Sequence, residues 1–452
     1  MRTTTARTLC LASAFASACL AQAAAPVYKL LYSPSPGDTI GDPVHLAEVQ
    51  PSLLYALDTL IEGTSGGTII SVTTAGAFRS IYSFPGANNN NAETLVQATN
   101  SDLYGAGFSA SGYYYFSMST SGTDFKQFPF PGNFPNQWGP FNETIVAPPG
   151  EMYDLASIGT PYVYGLARIE EAGKITIVHK FSASEGIPRS NSPIIYGPDG
   201  NVYGIANETT SATSPGFIYR ITPVGVYSKL LTFPSFPKSG FGYFLVAGLD
   251  GNLYGTFPIG GTNNTGYIYQ ATLSGQYQVV ANFPAKGMTQ PDGSLLAAAD
   301  GNVYGSTNSN DIFRYELATK QLSKIYTLQP SQGRCYCQLI EGMDGKLYGD
   351  ATTGGNIGAG AIFSLDIGLP EPLPLVSGLY PSGGSAGQQV ILWGDYLLGA
   401  TSVTFNGTAA PGAISTSKQS VLVSVPAGAT TGPVTVTTAN GTFTTTQSFT
   451  VQ

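Results

Sequence analysis

The chain has 452 residues, of which only 10% are charged, and its formal net charge is −8. An acidic chain with no basic patch excludes nucleic acid and anionic membrane as expected partners. Abundant Gly, Pro, Ser, Thr, Asn and Tyr suit many short strands joined by tight turns, and the length allows more than one domain.

Residues 1–25 read as a signal peptide. Arg2 and Arg7 form a basic start, Leu9 to Leu20 an apolar stretch, and Ala21-Gln-Ala-Ala-Ala25 offers small residues for cleavage before Pro26. The apolar stretch is too short to span a bilayer comfortably and no later run reaches about 18 apolar residues, so no membrane span is expected. Without Arg2 and Arg7 the net charge becomes −10. The expected location is secreted or associated with the cell surface.

Residues 26–369 carry a repeated motif. Clear copies are Asp199-Gly-Asn-Val-Tyr-Gly204, Asp250-Gly-Asn-Leu-Tyr-Gly255, Asp300-Gly-Asn-Val-Tyr-Gly305 and Asp344-Gly-Lys-Leu-Tyr-Gly349. Weaker copies are expected to end at Gly63 (from Asp58), Gly105 (from Asn100) and Asp154 (from Pro149). Successive ends lie 42, 49, 50, 51, 50 and 44 residues apart, a period that points to a propeller or an array of small sheets. Asp-Gly between two alternating runs signals a hairpin, because Gly accepts the positive φ that a primed turn requires. An aliphatic residue before each turn (Leu53, Leu95, Ile194, Leu245, Leu295, Leu339) is expected to pack between neighbouring sheets. The recurring Tyr is expected in the core with its hydroxyl satisfied.

Each unit divides into four strand-like runs. The third run appears seven times, around Thr68, Tyr113, Tyr162, Phe217, Tyr267, Ile312 and Ala361, whereas the fourth follows only the first six. The missing copy stands at the other end of the chain, as Val27-Tyr-Lys-Leu-Leu-Tyr-Ser33. This displacement predicts an all-β, seven-bladed β-propeller in which the N-terminal strand completes the last blade and removes two exposed edges.

Residues 370–374 form a stiff, Pro-rich linker, and 375–452 a separate unit. Val390-Ile-Leu-Trp-Gly, Val403-Thr-Phe-Asn-Gly, Val421-Leu-Val-Ser-Val-Pro and Val434-Thr-Val-Thr-Thr read as strands of an immunoglobulin-like β-sandwich. No hydrophobic tail with a basic end occurs before Gln452, and the expectation is free secretion or attachment through a partner.

Two resemblances follow from these motifs. The tail resembles an IPT/TIG domain through Val376-Ser-Gly-Leu379-Tyr-Pro381, Gly384-Ser-Ala-Gly387, Val390-x-Leu-x-Gly394, Val403-x-Phe-x-Gly407 and Val425-Pro426-Ala-Gly428-Ala429-Thr-Thr-Gly432. The repeats over residues 27–369 resemble the GloVer tandem repeats of exported bacterial proteins. That resemblance implies surface location and repeat architecture, and brings no reaction or catalytic residues with it.

No Gly-x-Ser-x-Gly elbow, His-Glu-x-x-His pair or phosphate loop occurs, which argues against nucleophilic hydrolysis and zinc catalysis. Each Asp-Gly-Asn supplies one carboxylate, too few for a calcium loop, so neither a metal nor a cofactor is expected. Carboxylates that meet only in space stay open as a glycosidase or lyase pair. His179 falls in a fourth run and reads as structural, while His45 reads as part of a long loop able to face a ligand. Cys335 and Cys337 read as two small residues at a loop-to-strand edge, with an external disulfide or a redox role as the alternative.

Non-repeating residues gather in the loops that join each fourth run to the next first run. The ligand-binding candidates are Phe134, Trp138, Arg189, Lys238, Lys286 and Arg334, with His45 added; aromatics among cations and amides suit sugar rings. The function expected is a non-enzymatic binding or adhesion module, monomeric, that recognises an extracellular glycan or a surface protein. The alternatives are a propeller carbohydrate-active enzyme and a structural spacer.

Overall fold

A computed structural model describes residues 25–35, 40–60, 67–85, 91–109, 112–130, 144–159, 163–188, 193–208, 216–234, 244–335 and 338–452. The expected signal peptide, the loop holding Phe134 and Trp138, and the positions of Arg189, Lys238 and Cys337 lie outside them. Every element among the described residues is a β-strand, and the architecture is of the propeller type.

Between Val27 and Asp366 the strands form seven antiparallel sheets. Six run in chain order from a first strand to a fourth, two of them with an additional short strand. In the seventh, Leu339–Glu341, Leu347–Ala351 and Ala361–Asp366 are joined by Val27–Tyr32. Val27 pairs with Asp366 and Leu30 with Phe363, the pairing that the displaced fourth run predicts.

The motif has a physical reading in these sheets. Its second position is the left-handed turn residue in all seven, with φ of 80°, 79°, 81° and 72° at Gly200, Gly251, Gly301 and Gly345 and 112° at Gly150. In the other two sheets a serine holds it, Ser101 at 74° and Ser52 at 68°. The first copy is therefore Pro51-Ser-Leu-Leu-Tyr-Ala56, not the stretch from Asp58 to Gly63, because Leu53–Leu60 is already the second strand. With the end moved to Ala56, the first spacing becomes 49 residues rather than 42. The inter-sheet aliphatic of this unit is correspondingly Leu46, buried at 3% exposure, rather than Leu53.

The motif tyrosines are buried, and each hydroxyl finds an acceptor. Tyr203, Tyr254, Tyr304 and Tyr348 donate to the aspartate four residues earlier at 2.7–2.8 Å. Where that aspartate is missing, Tyr55 donates to the Thr120 carbonyl, Tyr104 to the Glu171 carbonyl and Tyr153 to Glu151, each at 2.8 Å. The turn aspartates thus serve the fold, and they also cap their turns by accepting the backbone N–H of Asn201, Asn252, Asn302 and Lys346.

Residues 375–451 form two further sheets around a separate core of Val390, Leu392, Val403, Phe405, Val421, Val434, Val436 and Phe449. One sheet runs Leu375–Tyr380, Gln389–Asp395, Ser420–Ser424, Ile414–Ser417. The other runs Gly383–Gly384, Gly441–Val451, Gly432–Thr438, Ser402–Phe405, Thr408–Ala410. Val390, Leu392, Val434 and Val436 alternate with more exposed neighbours, the pattern of strands with one buried face.

Candidate functional site: a central cavity floored by the C-terminal sheets

The first strands of the seven sheets lie side by side. Ile40–Gln50 neighbours Val96–Gln97, and contacts continue in order through Ile145–Ala147, Ile195–Tyr196, Leu245–Ala247, Leu296–Ala297 and Leu339–Glu341, which returns to Ile40–Gln50. They surround a cavity of about 700 Å³.

Sequence register decides what each level of the cavity presents. Four residues ahead of the motif stand Ala47, Val96, Ile145, Ile195, Val246, Leu296 and Ile340, all of them half-buried and all on the cavity wall. They form an aliphatic collar. One residue further along the same strands stand Glu48, Gln97, Val146, Tyr196, Ala247, Ala297 and Glu341, where acids, an amide and a phenol enter the wall.

The C-terminal sheets supply the floor. Trp393 and Tyr380 pack with Ala98, Val146 and Met152, while Tyr396 and Leu398 pack on Met343 and Ala299. Asn440 donates to the Met343 carbonyl at 2.7 Å. Ala98, Ala299 and Met343 lie at the hairpin turns that end the first strands, so this docking occupies the turn face and leaves the loop face opposite. Ser377, Asp395, Lys418 and Gln419 complete the floor.

A charged network joins wall to floor. Glu48 is buried and accepts the backbone N–H of Met343 at 2.9 Å and of Ser52 at 3.3 Å; the Lys418 ammonium lies 3.7 Å from it. Glu341, 1% exposed, accepts the Ala299 N–H at 2.8 Å and the Tyr396 hydroxyl. Lys418 donates to the Glu341 carbonyl and sits 4.8 Å over the Tyr396 ring. Burial raises the proton affinity of Glu48 and Glu341 above the carboxylate norm, with Lys418 opposing. Burial likewise pushes Asp395 up to about 6, again opposed by Lys418. Asp395 nevertheless keeps accessible surface and lines the cavity, as expected of a carboxyl deep in a recess.

Of the candidates named from sequence, three fall among the described residues. Lys286 is exposed on the loop leading to Leu296–Ala297. Arg334 is half-buried, donates to the Asn308 side chain, and is fixed through its own N–H to Thr353 at 3.0 Å. His45 is not in a loop: it sits within the first strand Ile40–Gln50, at φ 57° where the pairing register shifts, and burial pushes it down to about 4. An irregular strand edge, read from sequence as loop, explains the difference. The described geometry does not bring these three together. His179 is a strand residue stacked on Tyr227 and bonded to the Gly225 carbonyl at 3.1 Å. Cys335 is disulfide-bonded, which corrects the reading of two unlinked small residues.

The acids of the cavity were not found from sequence. A signal existed: in aligned repeats, Glu48 and Glu341 hold a position that is otherwise Gln, Tyr or small and aliphatic.

Solved structures similar to the chain share its fold. YCF48 bound to a D1 peptide matches at 11% identity with a TM-score of 0.52, covering 77% of this chain and 98% of that one. An oligogalacturonate lyase from Vibrio parahaemolyticus matches at 11% identity and a TM-score of 0.51, covering 76% and 97%. The extracellular domain of a one-component system from B. thetaiotaomicron matches at 13% identity and a TM-score of 0.50, covering 81% and 46%. No curated protein sequence matches. The Gloeobacter/Verrucomicrobia repeat matches residues 189–414, half of the 452-residue chain, from the fourth sheet into the C-terminal pair. The chain belongs to the Gloeobacter/Verrucomicrobia repeat family.

Proposed function

We propose that this chain is an exported, non-enzymatic binding protein that takes the end or side group of a glycan into its central cavity from the loop face. The observation that carries this reading is the cavity's size and make-up. About 700 Å³ suits one or two sugar rings, and Tyr196, Tyr380 and Trp393 stand there beside Gln97, Ser377 and Gln419. Aromatic faces stack on the apolar faces of sugars while amides and hydroxyls bond their hydroxyl groups. The lyase likeness is compatible with a carbohydrate ligand.

In the same reading the seven sheets are blades of a closed ring over residues 26–369, supported by the cyclic contacts of the first strands. Residues 370–374 link it to an immunoglobulin-like sandwich of the IPT/TIG kind, and residues 1–25 are a removed leader. Lys286 and Arg334, with Phe134, Trp138, Arg189 and Lys238, belong to loops that steer the ligand.

One observation favours a second reading, a carbohydrate-active enzyme: Glu48, Glu341 and Asp395 do gather around Lys418. Glu48 is committed to the Met343 and Ser52 N–H groups, and Glu341 through Oε2 to the Ala299 N–H and the Tyr396 hydroxyl, which makes binding the better fit. Native gels containing plant, fungal and bacterial polysaccharides test the proposal. Retardation by one polymer, without loss of that polymer over time, is the expected result. Uniform mobility across the panel would overturn it, and product release from the retarding polymer would favour the enzyme.

A further inference from the structure

We propose that the cavity floor is a site for an amine-bearing sugar, with the ammonium on Asp395 and the ring against Tyr196 and Tyr380. The inference rests on the glycan reading above and narrows it.

The argument begins with charge. Three carboxyl groups, Glu48, Glu341 and Asp395, face one ammonium, Lys418, where wall meets floor. Lys418 is already engaged, donating to the Glu341 carbonyl and lying 3.7 Å from the Glu48 carboxylate. Glu48 is likewise engaged by two backbone N–H donors. Glu341 takes the Ala299 N–H and the Tyr396 hydroxyl on Oε2 and keeps Oε1 buried with no hydrogen-bond partner among the described residues, a further call for a donor from a ligand. Asp395, beside Gln419 and Lys418, is the acid that both lines the cavity and keeps accessible surface for a ligand.

The surroundings sharpen this bias. The collar of Ala47, Ile145, Ile195, Leu296 and their counterparts shields the floor from bulk water, so charges there interact strongly. An excess of negative charge in such a place is costly, and burial accordingly favours the protonated form of all three acids. A cation brought in by a ligand offsets that cost. The half-buried rings of Tyr196 and Tyr380 add to the preference, since an ammonium is attracted to the negative face of a Tyr ring. A uronate would place a fourth carboxylate beside three, and a neutral sugar would leave the excess unrelieved.

The test is calorimetric titration of the full mature chain with three tetrasaccharides: glucosamine, its N-acetylated counterpart and galacturonate. Acetylation removes the positive charge and leaves the chain of rings in place, so the comparison needs no altered protein. The expected result is at least about tenfold tighter binding of the glucosamine oligomer than of either other, as one ammonium–carboxylate contact with ring attraction implies. Asp395→Asn should bring the glucosamine and N-acetylglucosamine oligomers to within about twofold of each other. Equal or tighter binding of the acetylated or uronate oligomer would overturn the amine inference and leave the glycan reading standing. Silence from all three, together with uniform mobility across the polysaccharide panel, would overturn both.

Discussion

The sheet containing Leu253–Phe257 and the sheet containing Glu151–Gly159 fill the same place in opposite ways. At the motif's last position the first has Gly255, paired across the strands with Tyr269; a Cβ there would lie 2.1 Å from the Tyr269 hydroxyl. The second has Asp154, paired with Ala167. The rule holds along the chain: Gly105, Gly204, Gly305 and Gly349 face Phe116, Tyr219, Phe313 and Phe363, whereas Ala56 faces Ile70. The final glycine of the motif is therefore not a turn residue. It is the space into which the neighbouring strand's aromatic ring folds, and it changes only where that ring is absent.

The comparison can be broken most strongly at Gly255. Gly255→Ala forces a methyl into the Tyr269 ring and should cost about 3 kcal/mol, read as a shift in the urea midpoint. A change below about 0.5 kcal/mol would contradict the packing account. The reverse experiment sharpens it: Ala167→Tyr alone should destabilise severely, and adding Asp154→Gly should recover about 2 kcal/mol of that loss, a coupling that independent sites would not show.

A smaller effect concerns the charge left where the ring is missing. Asp154 is fully buried and accepts from Thr144 at 3.0 Å; desolvation raises its carboxyl well above the ordinary range, with Glu93 adding repulsion. A carboxyl whose folded value lies above its unfolded value stabilises fully at pH below the unfolded value of about 4, and that contribution is lost as pH rises through the folded value. Wild-type stability should thus decline above about pH 4, and Asp154→Asn should flatten the decline. An unchanged slope would show that Asp154 is ionised in the fold. The smallest effect lies at the turns: Ser52, at φ 68° in a glycine's place, should gain about 0.5 kcal/mol on Ser52→Gly, measured by thermal unfolding.

The repeats were legible because Asp, Gly, Tyr and Gly each answer a local need: a cap, a positive φ, a buried ring with its acceptor, and a gap for a ring. The displaced strand was legible for the same reason, since an unpaired fourth run must be replaced from somewhere. The first copy was misplaced because Pro51-Ser-Leu-Leu-Tyr-Ala56 keeps only the tyrosine and the aliphatic before it, and Asp58 offered a false start. His45 was misassigned because its strand bends out of register, which no alternation reveals. The cavity was not legible at all as a site. Glu48 meets the Met343 N–H across 295 residues, and Lys418 reaches Glu341 across 77, contacts created by the approach of the first sheet to the last and by docking of the C-terminal sheets.

The central claim, that the C-terminal sheets floor the cavity, is tested most directly at Trp393. This ring is buried by Ala98, Val146 and Met152 of the repeat sheets and is not part of the core of its own two sheets. With Trp138→Phe it becomes the sole tryptophan. The account predicts blue-shifted emission that acrylamide quenches poorly and that a retarding polysaccharide alters. Solvent-like emission, freely quenched, would mean that the turn face is bare and the cavity has no floor.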